Sequence, residues 1–220
     1  MEVKKLHRWD IDKEEAEKIQ ERLKDKVVIK PLSKKINIIC GIDSSYNEET
    51  IQTCGVLCKF PELEIIEIVK IKGKVKFPYI PGLLAFREGE NTVNLIEKIE
   101  KEVDCFIFDG HGIAHPKKFG FASHIGVLIE KPTIGCAKSL LYGNYFEPPS
   151  FPLSSTFIKD TEGEIIGHAL RNYNDGIIFI SPGHLIDFKD SLSTVIKCMK
   201  EKYSIPYPLY LAHENSKLTD

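Results

Sequence analysis

Two short apolar runs constrain the fold more than any other feature of the chain. They are Ile36-Asn-Ile-Ile-Cys-Gly-Ile42 and Val103-Asp-Cys-Phe-Ile-Phe108. Each is too short for a comfortable helix, and runs of this kind read as buried central strands. Each is followed at once by an aspartate, in Asp43-Ser-Ser-Tyr46 and Asp109-Gly-His-Gly112. Around them the pattern changes period. Residues 14–26 place Ala16, Ile19 and Leu23 at helical spacing, with Val27 just beyond. Residues 54–60 and 63–72 read as two more strands. In the second, Leu63, Ile65, Val69 and Ile71 alternate with polar neighbours, as in an antiparallel strand with one wet face. Pro81 is placed to open a helix at its first turn, carrying Leu84, Glu88, Leu95, Ile96, Ile99 and Val103. A helix over 119–130, strands over 132–136, 155–159, 164–171 and 176–180, and a helix over 190–203 complete the series. No repeat or low-complexity linker interrupts it. The expected architecture is α/β: one domain over residues 1–220, a mixed central sheet flanked by helices.

Charge limits the possible partners. Thirty basic residues against 32 acidic ones leave a net charge of −2, which excludes a globally basic nucleic-acid coat. A polyanion would have to be met by a local patch or by metal. Lys70, Lys72, Lys74 and Lys76 form one such stripe, although lysines on an edge strand also guard against aggregation. No apolar run approaches the roughly 18 residues of a membrane span, and residues 1–10 lack an apolar signal core. A soluble, cytoplasmic, monomeric protein with no membrane partner is expected. The six cysteines include Cys54 and Cys58, four apart on one strand face with no second pair at zinc spacing. Buried thiols are expected rather than a zinc site or disulfides.

The chemistry points to carboxylates. Asp43 and Asp109 end apolar strands, where α/β proteins gather their ligands, and Glu88 lies on the helix leading into the second strand. Three carboxylates converging from these elements would need divalent cations such as Mg²⁺ or Mn²⁺, which prefer oxygen ligands. Taken singly, an aspartate at a strand end also serves as a turn or cap residue, and Glu88 as a solvated helix charge. On these residues alone both readings stay open. A serine-hydrolase triad of Ser44 or Ser45 with His213 lacks a Gly-x-Ser-x-Gly elbow.

Ordered motifs extend over residues 6 to about 214. They are Leu6-His-Arg-Trp-Asp10, Gly41-Ile-Asp-Ser-Ser-Tyr46 and Phe77-Pro-Tyr-Ile-Pro-Gly-Leu-Leu-Ala-Phe-Arg-Glu88. Next come Phe108-Asp-Gly-His-Gly112, His115-Pro-Lys-Lys-Phe-Gly-Phe-Ala-Ser-His124 and Pro132-Thr-Ile-Gly-Cys-Ala-Lys138. Ser181-Pro-Gly-His184 and Ala212-His213 complete the set. In these the chain resembles the endonuclease V family of inosine-directed nucleases. The resemblance implies an RNase H-like fold and Mg²⁺-dependent cleavage of deoxyinosine-containing DNA, one phosphodiester bond beyond the lesion on its 3′ side. It also implies that Asp43, Glu88 and Asp109 hold metal and that His213 closes the site. Pro78, Tyr79, Ile80 and Pro81 would form a wedge at the extruded base, with Gly110, Gly112 and Gly120 letting backbone approach its edge. His115 would lie near the scissile strand and Lys138 would contact phosphate. Inosine in RNA is the nearest alternative substrate, followed by non-cleaving binding of deaminated nucleic acid and by broader structure-directed cleavage. Ser181–His184 reads either as a phosphate-binding loop or as a tight turn, and His124 as helix packing.

Overall fold

A computed structural model describes residues 1–218 of the chain. The strands are β1 (Ile38–Tyr46), β2 (Thr50–Lys59), β3 (Ile65–Lys74), β4 (Cys105–Asp109), β5 (Thr133–Ala137), β6 (Asn144–Tyr145), β7 (Ser155–Lys159), β8 (Ile165–Arg171) and β9 (Ile177–His184). The α-helices are α1 (Lys13–Leu23), α2 (Leu84–Lys98), α3 (Phe121–Ile129), α4 (Phe188–Cys198) and α5 (Tyr207–Ser216). All nine strands join one mixed sheet in the order β3-β2-β1-β4-β5-β9-β8-β7-β6. Among the described residues only β1–β4 and β4–β5 pair in parallel. In the β1–β4 register Ile42 stands beside Phe108, so Asp43 and Asp109 follow side by side at the same end of the parallel pairing.

The central strands divide their side chains between two cores. Cys40, Ile42, Phe106 and Phe108 pack with Leu95 and Ile96 of α2 and Ile125 and Leu128 of α3. Ile39, Cys105, Ile107 and Cys136 face the other way, onto Val195 and Cys198 of α4 and Leu209 and Ala212 of α5. Apolar runs without polar interruption follow from this two-sided burial. Side-chain caps start two helices: Asp12 accepts from the Glu15 N–H at 2.9 Å, and Asp187 from the Asp190 N–H at 2.7 Å. All six cysteines are buried free thiols. No helix among the described residues is long and apolar enough to cross a membrane.

Several boundaries differ from the sequence reading, each for a local reason. Asp43 lies inside β1 rather than after it, because pairing with β2 continues to Tyr46 opposite Ile51. Pro81 does not open α2. Gly82 adopts φ +86° in a turn closed by Leu83 N–H donating to the Ile80 carbonyl at 2.9 Å, and the helix starts at Leu84. It ends at Lys98, leaving Val103 in the connection to β4. On β3 the register to β2 skips Ile66, so the alternation reverses there: Ile65 is exposed, while Ile66, Val69 and Ile71 pack inward. Ser181–His184 is neither phosphate loop nor turn but the buried end of β9. The helix expected over 190–203 closes at Cys198, and α5, which the reading lacked, follows it.

Candidate active site

A cavity of about 560 Å³ opens where β1 and β4 end, and Asp43, Glu88 and Asp109 share its lining. Glu88 comes from the second turn of α2 and is only 6% exposed. Burial pushes its carboxyl well above the ordinary value, and repulsion from Asp43 and Asp109 adds to this. Asp43 is raised as well, by burial first and then by Asp109. Mutual repulsion in a half-closed pocket is what hard cations relieve, and the donors are all carboxylate oxygens. The residues therefore fit a divalent cation. Among the described residues no three potential ligands are already drawn into a coordination cluster. Two carboxylates are instead held by nitrogen donors. His213 on α5 meets Asp43 Oδ2 through Nδ1 at 2.7 Å, and Lys138 Nζ donates to Asp109 Oδ2 at 2.7 Å. Burial disfavours the Lys138 ammonium, but Asp109 outweighs it and the pKa is raised.

Tyr79, Ile80 and Pro81 form part of the cavity wall, and Tyr79 is 62% exposed. Pro78 is exposed and stands outside the lining. Three side chains pin the segment. Gln20 donates to the Gly82 carbonyl at 2.7 Å, and Arg87 to the Phe77 carbonyl at 2.8 Å. His115 is the third. Its Nδ1 accepts from the Lys117 N–H at 3.0 Å, so Nε2 carries the proton and donates to the Gly82 carbonyl at 2.9 Å. Both ring nitrogens are thus engaged in bracing the loop.

Burial lowers the His115 pKa to about 4. An unfolded imidazole titrates near 6.5, whereas the folded one resists protonation until about 4. The associated stability is therefore full above pH 6.5 and is lost as pH falls through that interval, amounting to about 3 kcal/mol. Urea unfolding at pH 7 and pH 4 is expected to show this loss in the wild type, and His115→Gln to show correspondingly less. Equal losses in both proteins would contradict the assignment.

Gly110 and Gly120 line the cavity, but Gly112 does not. A Cβ on Gly112 would lie 2.0 Å from the Pro182 carbonyl oxygen, and its N–H donates to Ser181 Oγ at 2.8 Å. Gly112 thus seats the Asp109–Gly112 loop on β9. Tyr46, without a role in the motifs above, also lines the cavity, and Arg87 packs against it. Arg87 Cζ lies 4.2 Å from the Tyr46 ring centroid. Their positions beside motif carboxylates are a signal in retrospect, but no periodicity picks them out. The Leu6–Asp10 motif lies elsewhere: His7 Nε2 meets buried His124 Nε2 at 2.7 Å, and Trp9 stacks on the same ring.

Carboxylates thus gather at the shared end of two parallel neighbours, in a mixed sheet covered on both faces. A family model described as Endonuclease V matches residues 21–214. An endonuclease V of Thermosipho melanesiensis is 44% identical over 220 residues, covering 99% of this chain and 96% of its own. The crystal structure of endonuclease V from Bacillus subtilis superposes with a TM-score of 0.92 at 31% identity, covering 98% of this chain and 95% of its own. That of Ciona intestinalis, in complex with a 24mer DNA containing an inosine followed by a ribo-adenosine, gives 0.81 at 30% identity, covering 93% and 97%. The chain belongs to the endonuclease V family and is an endonuclease.

Proposed function

We propose that this chain is a single-domain DNA-repair endonuclease, using Mg²⁺ with Mn²⁺ as a substitute. It nicks the strand one phosphodiester bond beyond a deoxyinosine on its 3′ side, leaving 5′-phosphate and 3′-hydroxyl ends. The observation that carries this reading is the meeting of Asp43, Glu88 and Asp109 in a cavity walled by an exposed, braced Tyr79. Those three carboxylates would hold the divalent cations. When bound, the cations supply Lewis acidity toward the phosphate and acidify the attacking water.

The chain's own groups do the rest. His213 fixes the orientation of Asp43 from α5. Lys138, alternating between Asp109 and a phosphate oxygen, compensates charge at the rim. Tyr79 and Ile80 fill the stack left by the extruded base, and the pinned 78–82 loop reduces the entropy lost on doing so. Gly110 and Gly120 admit the base edge to the cavity. The inosine-containing DNA bound to the Ciona relative supports this choice of substrate.

End-labelled DNA oligonucleotides with one deoxyinosine, and matched RNA with one inosine, test the reading with and without EDTA. A metal-dependent cut one bond beyond deoxyinosine is expected. Preference for the RNA would move the substrate to inosine transcripts, and lesion binding without any cut would leave a binding protein. Tyr79→Ala is expected to weaken affinity for deoxyinosine DNA by about tenfold, the loss of one stacking contact, with little change for undamaged DNA. Fluorescence anisotropy measures it, and equal weakening for both DNAs would remove Tyr79 from lesion recognition.

A further inference from the structure

A second cavity, of about 360 Å³, lies against the first, and its lining includes Lys138, His213, Tyr210, Ile178 and Ile205. Lys138 lines both cavities, and His213 joins the second to Asp43 in the first. The two cavities therefore meet at the carboxylates, the first on the α2–α3 side of the sheet and the second on the α5 side. Ile178 and Ile205 make a buried apolar floor. Tyr210 forms a wall, its ring 4.2 Å from that of Tyr203 at 31°, with Tyr207 a further 5.1 Å from Tyr203. Lysines sit over this cluster: Lys200 Nζ lies 3.6 Å from the Tyr207 centroid, and Lys202 Nζ 5.9 Å from that of Tyr203.

The lining is also pinned at Asn172 and Ser204. Asn172 Nδ2 donates to the Ser204 carbonyl at 2.9 Å, while its Oδ1 accepts from the N–H groups of Asn174 and Gly176. An apolar floor, an aromatic wall and Lys138 in the lining, with Lys200 and Lys202 over the neighbouring tyrosines, suit an unpaired base on a phosphate backbone. Among the described residues no carboxylate lines this cavity to oppose a phosphate.

We propose that the second cavity takes the nucleotide immediately 3′ of the cut bond, with Tyr210 stacking on its base. This rests on the cleavage reading above. A strand with its deaminated base in the first cavity and its reacting phosphate at the carboxylates continues past Lys138 into the second. The base at this position is then held by stacking, which every base offers, so sequence preference there is weak. Affinity for it is strong.

The test uses single-stranded deoxyinosine DNA in which the base 3′ of the cut is replaced by a tetrahydrofuran spacer, keeping the sugar-phosphate chain. For the wild type the spacer is expected to raise KM about tenfold, and the same spacer placed further downstream to leave it unchanged. In Tyr210→Ala the two substrates become equivalent to within about twofold, whereas Tyr210→Phe keeps the full sensitivity. A spacer without effect on the wild type, with the parent oligonucleotide still cut, overturns the inference and leaves the cleavage reading intact. Failure to cut the parent oligonucleotide overturns the cleavage reading and this inference with it.

Discussion

Glu88→Gln is expected to lower cleavage by about 10³-fold or more while leaving the metal-free protein at least as stable as the wild type. The activity loss follows from removing one of three carboxylates that would hold the cations, at a side chain only 6% exposed. The stability effect follows from the sign of its pKa shift. Burial, then repulsion from Asp43 and Asp109, raises the folded pKa above the ordinary 4.5, so the native state binds this proton more tightly than the unfolded chain. Stability of the metal-free wild type must therefore decline as pH rises from the ordinary carboxylate value through the raised one. An amide is isosteric and cannot ionise, so the variant escapes that decline. Thermal melts in EDTA across this range should separate the two proteins increasingly toward neutral pH. Adding Mg²⁺ should raise Tm for the wild type and barely move it for the variant, because a ligand that binds only the native state stabilises it by mass action. Single-turnover cleavage gives the activity. A loss smaller than about tenfold would remove Glu88 from the cation-holding set.

The elements that carry the carboxylates were legible in the sequence from their patterns, whereas their common role came from the family resemblance. Strands buried on both faces carry apolar runs, and the two runs followed by aspartate lie in β1 and β4, adjacent and parallel. Helical spacing around Glu88 fixed its element, though not the helix start, where Gly82 rather than Pro81 decides. Features set by tertiary pairing were hidden. Pro182 and Gly183 have the composition of a turn, yet they extend β9, where the pairing with β5 shifts register and the Pro182 carbonyl accepts from the Ile113 N–H at 2.8 Å. Helix α5 opens with Tyr207-Pro208 and buries Pro208, Leu209, Ala212 and Ser216, in which the only apolar pair at helical spacing, Leu209 and Ala212, is too short a repeat to announce a helix. The histidine it delivers could be placed only by resemblance. His115 shows the opposite limit. Its motif marked it for the reacting strand, but the structure engages both its nitrogens in holding the 78–82 loop.

Gly41→Ala is expected to destabilise the fold by about 3 kcal/mol and to lower cleavage by about 10²-fold beyond that loss. Gly41 lies in β1 between Val56 of β2 and Ile107 of β4, with α5 crossing directly over it. An added Cβ would stand 2.4 Å from the Pro208 carbonyl carbon and 2.5 Å from the Leu209 nitrogen, both backbone atoms at the start of α5. No rotamer change relieves such a contact, so the helix has to move. The same helix holds His213 at 2.7 Å from Asp43, and displacement at its first turn is carried to that contact. Gly55 on β2 provides the control. A Cβ there would come within 2.9 Å of Leu95 Cδ2, the free end of a side chain that can turn aside. Gly55→Ala should therefore be mild in stability and silent in cleavage. Chemical denaturation and single-turnover rates on both variants separate the two cases. If Gly41→Ala and Gly55→Ala behave alike in both measurements, the close seating of α5 on β1 is not what holds His213 against Asp43.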